Sequence, residues 1–223
     1  MIKIFAYKID ENNADILLDK MSLLSLKEKE YVCRYKYVKK DQLRSLTGRL
    51  MLFSFADRYT DDCYKEINYI SGTDDFTKEN MSDISIIVDE NGKGRIENRA
   101  NIFFNISHSK DYCILALADE EVGVDIQEIK PLKTNIPKRF FTDKDNEYID
   151  QNEEGKIERF TEVWSAKESF AKLTGNGIGE GFSTFYEDFD KMVIIDAKIG
   201  EIKASLKCYE IDEGYKCFSS TYV

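Results

Sequence analysis

Apolar residues recur along the chain at two spacings, and these divide it into strands and helices. Alternation at the N-terminus predicts a first strand over Ile2–Lys8. Ala14–Met21 and Lys27–Tyr37 read as helices, the second opened by a Ser25-x-x-Glu28 capping box. Leu43, Leu46, Leu50, Phe53 and Ala56 step by three and four, which predicts a long helix over Lys39–Arg58. Asp83–Asp89 is a β-branched run, and the Asn91-Gly92 turn leads into a partner strand over Lys93–Ile96. Short strands follow at Phe103–Ile106, Tyr112–Ala118 and Val122–Gln127. Pro131 and Pro137 bracket a connection to helical Lys138–Phe141 and Lys144–Asp150. Glu158–Leu173 is a strong helix, stopped by a glycine-rich stretch over 175–181. From Phe182 to Val223 the pattern is of antiparallel strands, with turns near Asp190, Gly200 and Gly214.

Each half of the chain thus offers one long helix and several antiparallel strands, an α+β plan. Leu46-Thr47-Gly48 and Leu173-Thr174-Gly175 read as similar ends of the two long helices, compatible with two related halves. A division near residue 120 carries no Pro-, Gly- or Ser-rich linker, so the expected halves are 1–120 and 121–223, tightly packed.

Composition narrows the function. The 223 residues carry 32 Lys+Arg against 42 Asp+Glu, a net charge of −10. That balance argues against general nucleic-acid binding, which needs a basic face. A 42% hydrophobic and 13% aromatic content is that of a folded globular protein. One histidine, His108, excludes zinc sites built on several imidazoles. Five cysteines without a CxxC pair indicate a reducing compartment. No stretch approaches the roughly 20 apolar residues of a membrane span. A cytoplasmic protein is expected.

Four segments could carry chemistry. In Val122–Gln127, strand alternation places Gly123, Asp125 and Gln127 on one face, with room beside the glycine and two oxygen donors for a hard cation. In the helix around Trp164, Lys167 projects among apolar residues and must snorkel or meet an anion, while Glu168 and Lys172 form an i,i+4 pair. Phe104–Ser109 ends in Ser107, His108 and Ser109, a turn suited to a phosphate; no GxSxG elbow supports a hydrolase triad. Lys27, Lys29, Arg34, Lys36, Lys39, Lys40, Arg44 and Arg49 form a local positive field in an acidic chain, suited to a small multiply charged anion. The bland alternatives are a solvated strand face, a surface salt bridge, a capped turn and a solvated helix face. The glycines of 175–181 lack GxxxxGK[ST] and give no P-loop.

Together these segments resemble the 4′-phosphopantetheinyl transferases of the Sfp type. The matching pieces are Phe104–Ser109 (FNISHS), Gly123–Gln127 (GVDIQ), Lys138–Phe141 (KRFF) and Trp164–Lys172 (WSAKESFAK). Lys29–Gly48 and Gly214-Tyr215-Lys216 match more loosely. The resemblance implies two similar α+β halves, each a small antiparallel sheet packed with a long helix, with the active site between them. It implies transfer of the phosphopantetheine arm of coenzyme A to a serine of an apo acyl or peptidyl carrier protein, releasing adenosine 3′,5′-bisphosphate. Such carriers belong to nonribosomal peptide or polyketide synthesis. By motif, Asp125 and Glu168 would ligate Mg²⁺ or Mn²⁺, with Gln127 as a third oxygen. Glu168, or a water it holds, would take the serine proton, and Lys172 would neutralise the reacting phosphate. Lys167 would support the CoA site, Ser107 and His108 would contact the CoA phosphates, and Lys29, Arg44 and, more loosely, Ser45 would hold the 3′-phosphate end. Lys93 occupies the family's Gly-Lys-Pro position.

The chain departs from that pattern twice. Gln127 stands where an acid is usual, and a neutral amide holds a cation less strongly; Glu128 points to the other strand face. Gly94 stands where the proline after Lys93 is expected. A non-catalytic CoA- or carrier-binding homologue is therefore the alternative, and a Mg²⁺-dependent pyrophosphate hydrolase a third reading. With two halves in one chain, a monomer is expected. The carrier contact is expected to be largely apolar, near Phe140 and Phe141, since a chain at −10 does not attract acidic carriers by net charge.

Overall fold

A computed structural model describes residues 1–10, 12, 14–34, 38–131, 140–177 and 180–223. Lys36, the predicted helix end Tyr37, Pro137, Lys138, Arg139 and residues 178–179 lie outside them. The chain forms two compact units. The first comprises residues 1–87 and 95–119, the second residues 88–94 and 120–223.

In the first unit, β1 (Ile2–Lys8) is followed by helices α1 (Ala14–Asp19), α2 (Leu26–Cys33) and α3 (Lys39–Phe55), then by β2 (Ile67–Ile70). After the short hairpin strands β3 (Ile86–Val88) and β4 (Gly94–Ile96) come β5 (Phe103–Ser109) and β6 (Tyr112–Ala118). The four-stranded sheet runs β2-β1-β6-β5. It is not wholly antiparallel. β2 joins β1 in parallel, as the three-helix crossover between them permits. This strand escaped the sequence reading because its four residues form an exposed edge with little apolar contrast.

Local chemistry explains the helix ends. Ser25 accepts a hydrogen bond from the Glu28 backbone N–H, as an N-cap should. The Glu28 carboxylate, however, pairs with buried Arg49 at 3.1 Å instead of completing the box. A full capping box forms at Thr142 and Asp145, opening α4 (Asp143–Ile149). Leu46-Thr47-Gly48 is not a helix end: α3 continues through it to Phe55. Gly48 is there because a Cβ would stand 2.9 Å from the Ile106 Cγ2 methyl on β5.

The second unit holds β7 (Val122–Glu128), α4, the long helix α5 (Lys156–Thr174), and strands β8 (Phe185–Asp188), β9 (Val193–Asp196), β10 (Ile202–Tyr209) and β11 (Tyr215–Tyr222). Its antiparallel sheet runs β7-β11-β10-β9-β8. Helix α5 lies across it, burying Val163, Ala166, Phe170 and Leu173 against Ile194, Ala204, Leu206 and Phe218. Gly175 ends the helix at φ 77°, the left-handed conformation that glycine adopts without strain. Among the described residues no helix is long and apolar enough to cross a membrane.

The closest packing is between β7 and α5. A Cβ on Gly123 would lie 1.9 Å from the Ser169 carbonyl oxygen and 2.5 Å from the Leu173 backbone nitrogen. The space beside this glycine, read from the sequence as room for a ligand, is filled by the helix backbone. Gly123→Ala is expected to cost at least about 2 kcal/mol in urea denaturation, because backbone must move. Gly48→Ala is expected to stay within about 1 kcal/mol of the parent, since only a methyl must yield and helix propensity improves. Equal losses at the two positions would refute this contrast.

Candidate active site

Strand alternation turns Gly123, Asp125 and Gln127 toward α5, and the missing Cβ lets the helix come down on them. The hydroxyl of Ser165 donates to the Asp125 carbonyl at 3.1 Å and pins the two elements together. Asp125 is then 1% exposed. Lys172 Nζ lies 2.6 Å from Asp125 Oδ1, and Gln127 Nε2 donates to Oδ2 at 2.9 Å. Gln127 thus meets the site through its amide nitrogen, not through the oxygen a metal would need. Without a metal, it acts as a hydrogen-bond donor holding Asp125.

Glu168, one turn before Lys172, is 8% exposed. Burial, and next the charge of Asp125, push its carboxyl up to about 7, while Lys172 and a hydrogen bond from the Trp164 indole act in the opposite direction. Trp164 was read from the sequence only as part of the apolar stripe. Its N–H reaches Glu168 because Phe141, Phe160 and Phe182 surround the ring at centroid distances of 6.1, 5.9 and 5.8 Å. Phe141, expected at a docking surface, is buried in this cluster; Phe140 is exposed.

Lys167 points about 100° away from Glu168 around the helix. It is 0% exposed, 2.9 Å from Asp145 and 3.4 Å from Glu187, and donates to the Phe182 and Phe185 carbonyls at 3.0 and 2.8 Å. Its ammonium is enclosed in an internal ion cluster, so any support of the CoA site expected from the sequence runs through that cluster. Lys93 is engaged within the second unit likewise. Its Nζ meets Glu121 at 2.5 Å and the Leu173 carbonyl at 2.6 Å, where a cation favours the C-terminus of α5.

In the first unit, the anion-binding residues divide. Arg44 donates from Nε and Nη2 to the Lys110 carbonyl at 2.9 and 2.7 Å, and its Nη1 lies 2.7 Å from Asp41. His108 is the cross-strand partner of Cys113, whose Sγ lies 3.7 Å from the Arg44 carbonyl. Paired residues share a sheet face, so exposed His108 stands on the α3 side, at the end gripped by Arg44. Ser45 follows on α3, its hydroxyl oxygen buried without a hydrogen-bond partner among the described residues. Ser107 is buried on the opposite face, because Ser107–Ser109 continue β5 and do not form the expected turn. Lys29 donates to the Ser22 carbonyl at 3.5 Å. Arg49, within the predicted basic field, is neutralised by Glu28 and stacks 4.1 Å from the Tyr31 ring centroid.

The sequence profile of the 4′-phosphopantetheinyl transferase superfamily matches residues 121–220. That of 4′-phosphopantetheinyl transferase N-terminal regions matches residues 12–120. The 4′-phosphopantetheinyl transferase ffp of Bacillus subtilis is 31% identical over 222 residues, covering 96% of this chain and 90% of that protein. The 4′-phosphopantetheinyl transferase Sfp of Bacillus subtilis (strain 168) is 31% identical over 199 residues, covering 88% and 81%. For the gsp transferase of Aneurinibacillus migulanus the identity is 28% over 201 residues, with 88% and 75% covered. The chain belongs to the 4′-phosphopantetheinyl transferase superfamily.

As a phosphopantetheine transferase, the protein carries two ion clusters on adjacent residues of one helix, and each makes a testable statement. Glu187 is pushed well above the usual carboxylate range by burial, so its charged form is disfavoured. Glu187→Gln is therefore expected to leave stability at pH 7 within about 1 kcal/mol of the parent or above it. Lys167→Met, which strands Asp145, is expected to cost about 3–5 kcal/mol by the same denaturation measurement. A large loss for Glu187→Gln would show that the charged form of Glu187 holds the cluster together.

Glu168 is expected to titrate at about 7 in the metal-free transferase. Its folded-state value lies above the ordinary 4.5, so the native state binds more protons between the two. The stability contributed by this group is full below about 4.5 and is lost as pH rises toward about 7. Asp125→Asn removes the second cause and should move the midpoint down. NMR titration of ¹³C-labelled carboxyls reads this directly, and an unmoved midpoint would show that the two carboxylates do not interact.

Proposed function

We propose that the protein moves the 4′-phosphopantetheine arm of coenzyme A onto a serine hydroxyl of an apo acyl or peptidyl carrier protein, with release of adenosine 3′,5′-bisphosphate. The observation that carries this reading is the pairing of two buried carboxylates, Asp125 and Glu168, with the single ammonium of Lys172. Such a cluster is one positive charge short, and Glu168 expresses the deficit by holding a proton near neutrality. A divalent cation fits that deficit, and Lys172 on Asp125 is already a stand-in for one. Among the described residues no group of three or more His, Cys, Asp or Glu side chains is gathered as a metal centre. Mg²⁺ does not need one, since it takes one or two carboxylates and completes its shell with water and phosphate oxygens.

Asp125 and Glu168 are assigned to hold Mg²⁺, with Mn²⁺ as an equivalent. When bound, the ion supplies positive charge to the pyrophosphate oxygens. Lys172, 30% exposed on its side chain, supplies a further positive charge to the phosphate under attack. Glu168 takes the serine proton directly or through a water, and Trp164 keeps its carboxylate oriented. The serine oxygen forms the new P–O bond as the bond to the adenosine bisphosphate breaks, and that leaving group departs with the electron pair. Gln127 holds Asp125 in place for this. Arg44, Ser45 and His108 are assigned to the phosphate-bearing nucleotide end of CoA, Lys29 being a looser member. The buried, unpartnered Ser45 hydroxyl supports that assignment, because a phosphate oxygen would satisfy it.

The test is the intact mass of an apo carrier protein incubated with the enzyme, CoA and Mg²⁺. A gain of one phosphopantetheine is expected, abolished by EDTA and reduced by at least about 100-fold in Glu168→Ala. CoA binding with no transfer to several carrier types would replace this reading with that of a non-catalytic CoA-binding homologue.

A further inference from the structure

We propose that Lys172 is a placeholder: its ammonium occupies the cation's position on Asp125 in the metal-free protein and leaves it when the divalent cation binds. The proposal rests on the cation assignment made above and adds a movement to it. Asp125 is 1% exposed and both its carboxylate oxygens are engaged, Oδ1 by Lys172 at 2.6 Å and Oδ2 by Gln127 at 2.9 Å. Each oxygen keeps a second lone pair, but Asp125 is buried and a cation arriving there meets the like-charged ammonium on Oδ1, so one of the two donors is expected to yield. Gln127 has a short stem on β7, where backbone pairing with Lys216 of β11 fixes it, and its amide is neutral. Lys172 carries the like charge, has a long flexible stem, and keeps 30% of its side chain exposed. It is the donor that yields.

The surroundings allow that movement. Lys172 lies in the last turn of α5, where a cation is favoured even without Asp125. The Leu173 carbonyl at this helix end is held by Lys93, so the turn does not depend on Lys172 for its hydrogen bond. Release from Asp125 also places an ammonium beside the metal position at the moment when an anionic pyrophosphate needs it. The same side chain therefore protects a buried carboxylate before loading and binds phosphate after it. Loading of the site and readiness of the lysine become one event.

Two measurements on the full chain, both without CoA, test this. Mn²⁺ binding is followed by electron paramagnetic resonance in the parent and in Lys172→Met. Removing the competing ammonium is expected to tighten Mn²⁺ binding on the order of tenfold, although Lys172 is part of the transfer machinery. Equal or weaker binding overturns the proposal while leaving the cation assignment standing. Absence of saturable Mn²⁺ binding in both proteins overturns the cation assignment and the placeholder with it. The second measurement needs no variant and so does not depend on Lys172→Met folding. Trace acetylation of the parent, read by peptide mass spectrometry, is expected to show Lys172 becoming more reactive when Mg²⁺ is added. Buried Lys167 and exposed Lys191 are internal references that should not change. Unchanged or reduced labelling of Lys172 in a protein that binds Mn²⁺ would refute the movement.

Discussion

The contact between the Gly123 Cα and the backbone of α5 sets the dimensions of everything around it. A strand and a helix normally stay apart by the length of their side chains. Here one of those side chains is absent, and the Ser169 carbonyl lies where a Cβ would be. The Ser165 hydroxyl can then bond the Asp125 carbonyl, and Asp125 can reach across to Lys172. Any wider spacing would let water between the carboxylates and return Glu168 toward an ordinary acid. The chemistry thus depends on an atom that is missing from a neighbouring strand position.

Adjacent residues of α5 build two clusters of the same charge. Lys167 meets Asp145 and Glu187; Glu168 meets Asp125 and Lys172. Each has two carboxyls and one ammonium, and in each one carboxyl is raised by burial. They differ in access. The Lys167 cluster is sealed, and burial raises Glu187 there. The Asp125 cluster opens along the Lys172 stem. Only the second leaves a path for an exchangeable cation. The closed cluster also ties α5 to α4 and β8, giving the open one a fixed helix to stand on.

Periodicity made most elements legible, and the limits of the rest have definite causes. Strands β1 and β6 follow their predicted bounds because alternation or a continuous apolar run leaves one reading. β2 has four residues and an exposed face, so its apolar contrast is too small to see. The Ser107–Ser109 segment looked like a turn by composition, yet pairing with β6 carries it on as strand. Lys167 illustrates a different limit. Its place on an apolar helix face left two readings, snorkelling or a buried anion, and the choice is made only by the tertiary fold, which brings Asp145 and Glu187 to it. Only the i,i+4 pairing of Glu168 with Lys172 lies within one helix; Asp125 is brought to them by the packing of β7 on α5, which no spacing within either element announces. Gln127 could be placed beside them but not oriented, because sequence does not tell which end of an amide faces its neighbour.

That orientation bears on what an amide at 127 does that a carboxylate could not. A carboxylate at 127 would repel Asp125, whereas the amide donates to it and leaves its second oxygen to Lys172. At the proposed cation site the amide would also set the charge. Two carboxylates, one ammonium and a divalent ion would sum to a single net positive charge, while a third carboxylate would bring the sum to zero. A positive site would weaken the hold on the cation but strengthen the attraction for an anionic pyrophosphate. On this balance Gln127 would shift binding energy from the metal alone to the metal and donor together, and their loading would be cooperative.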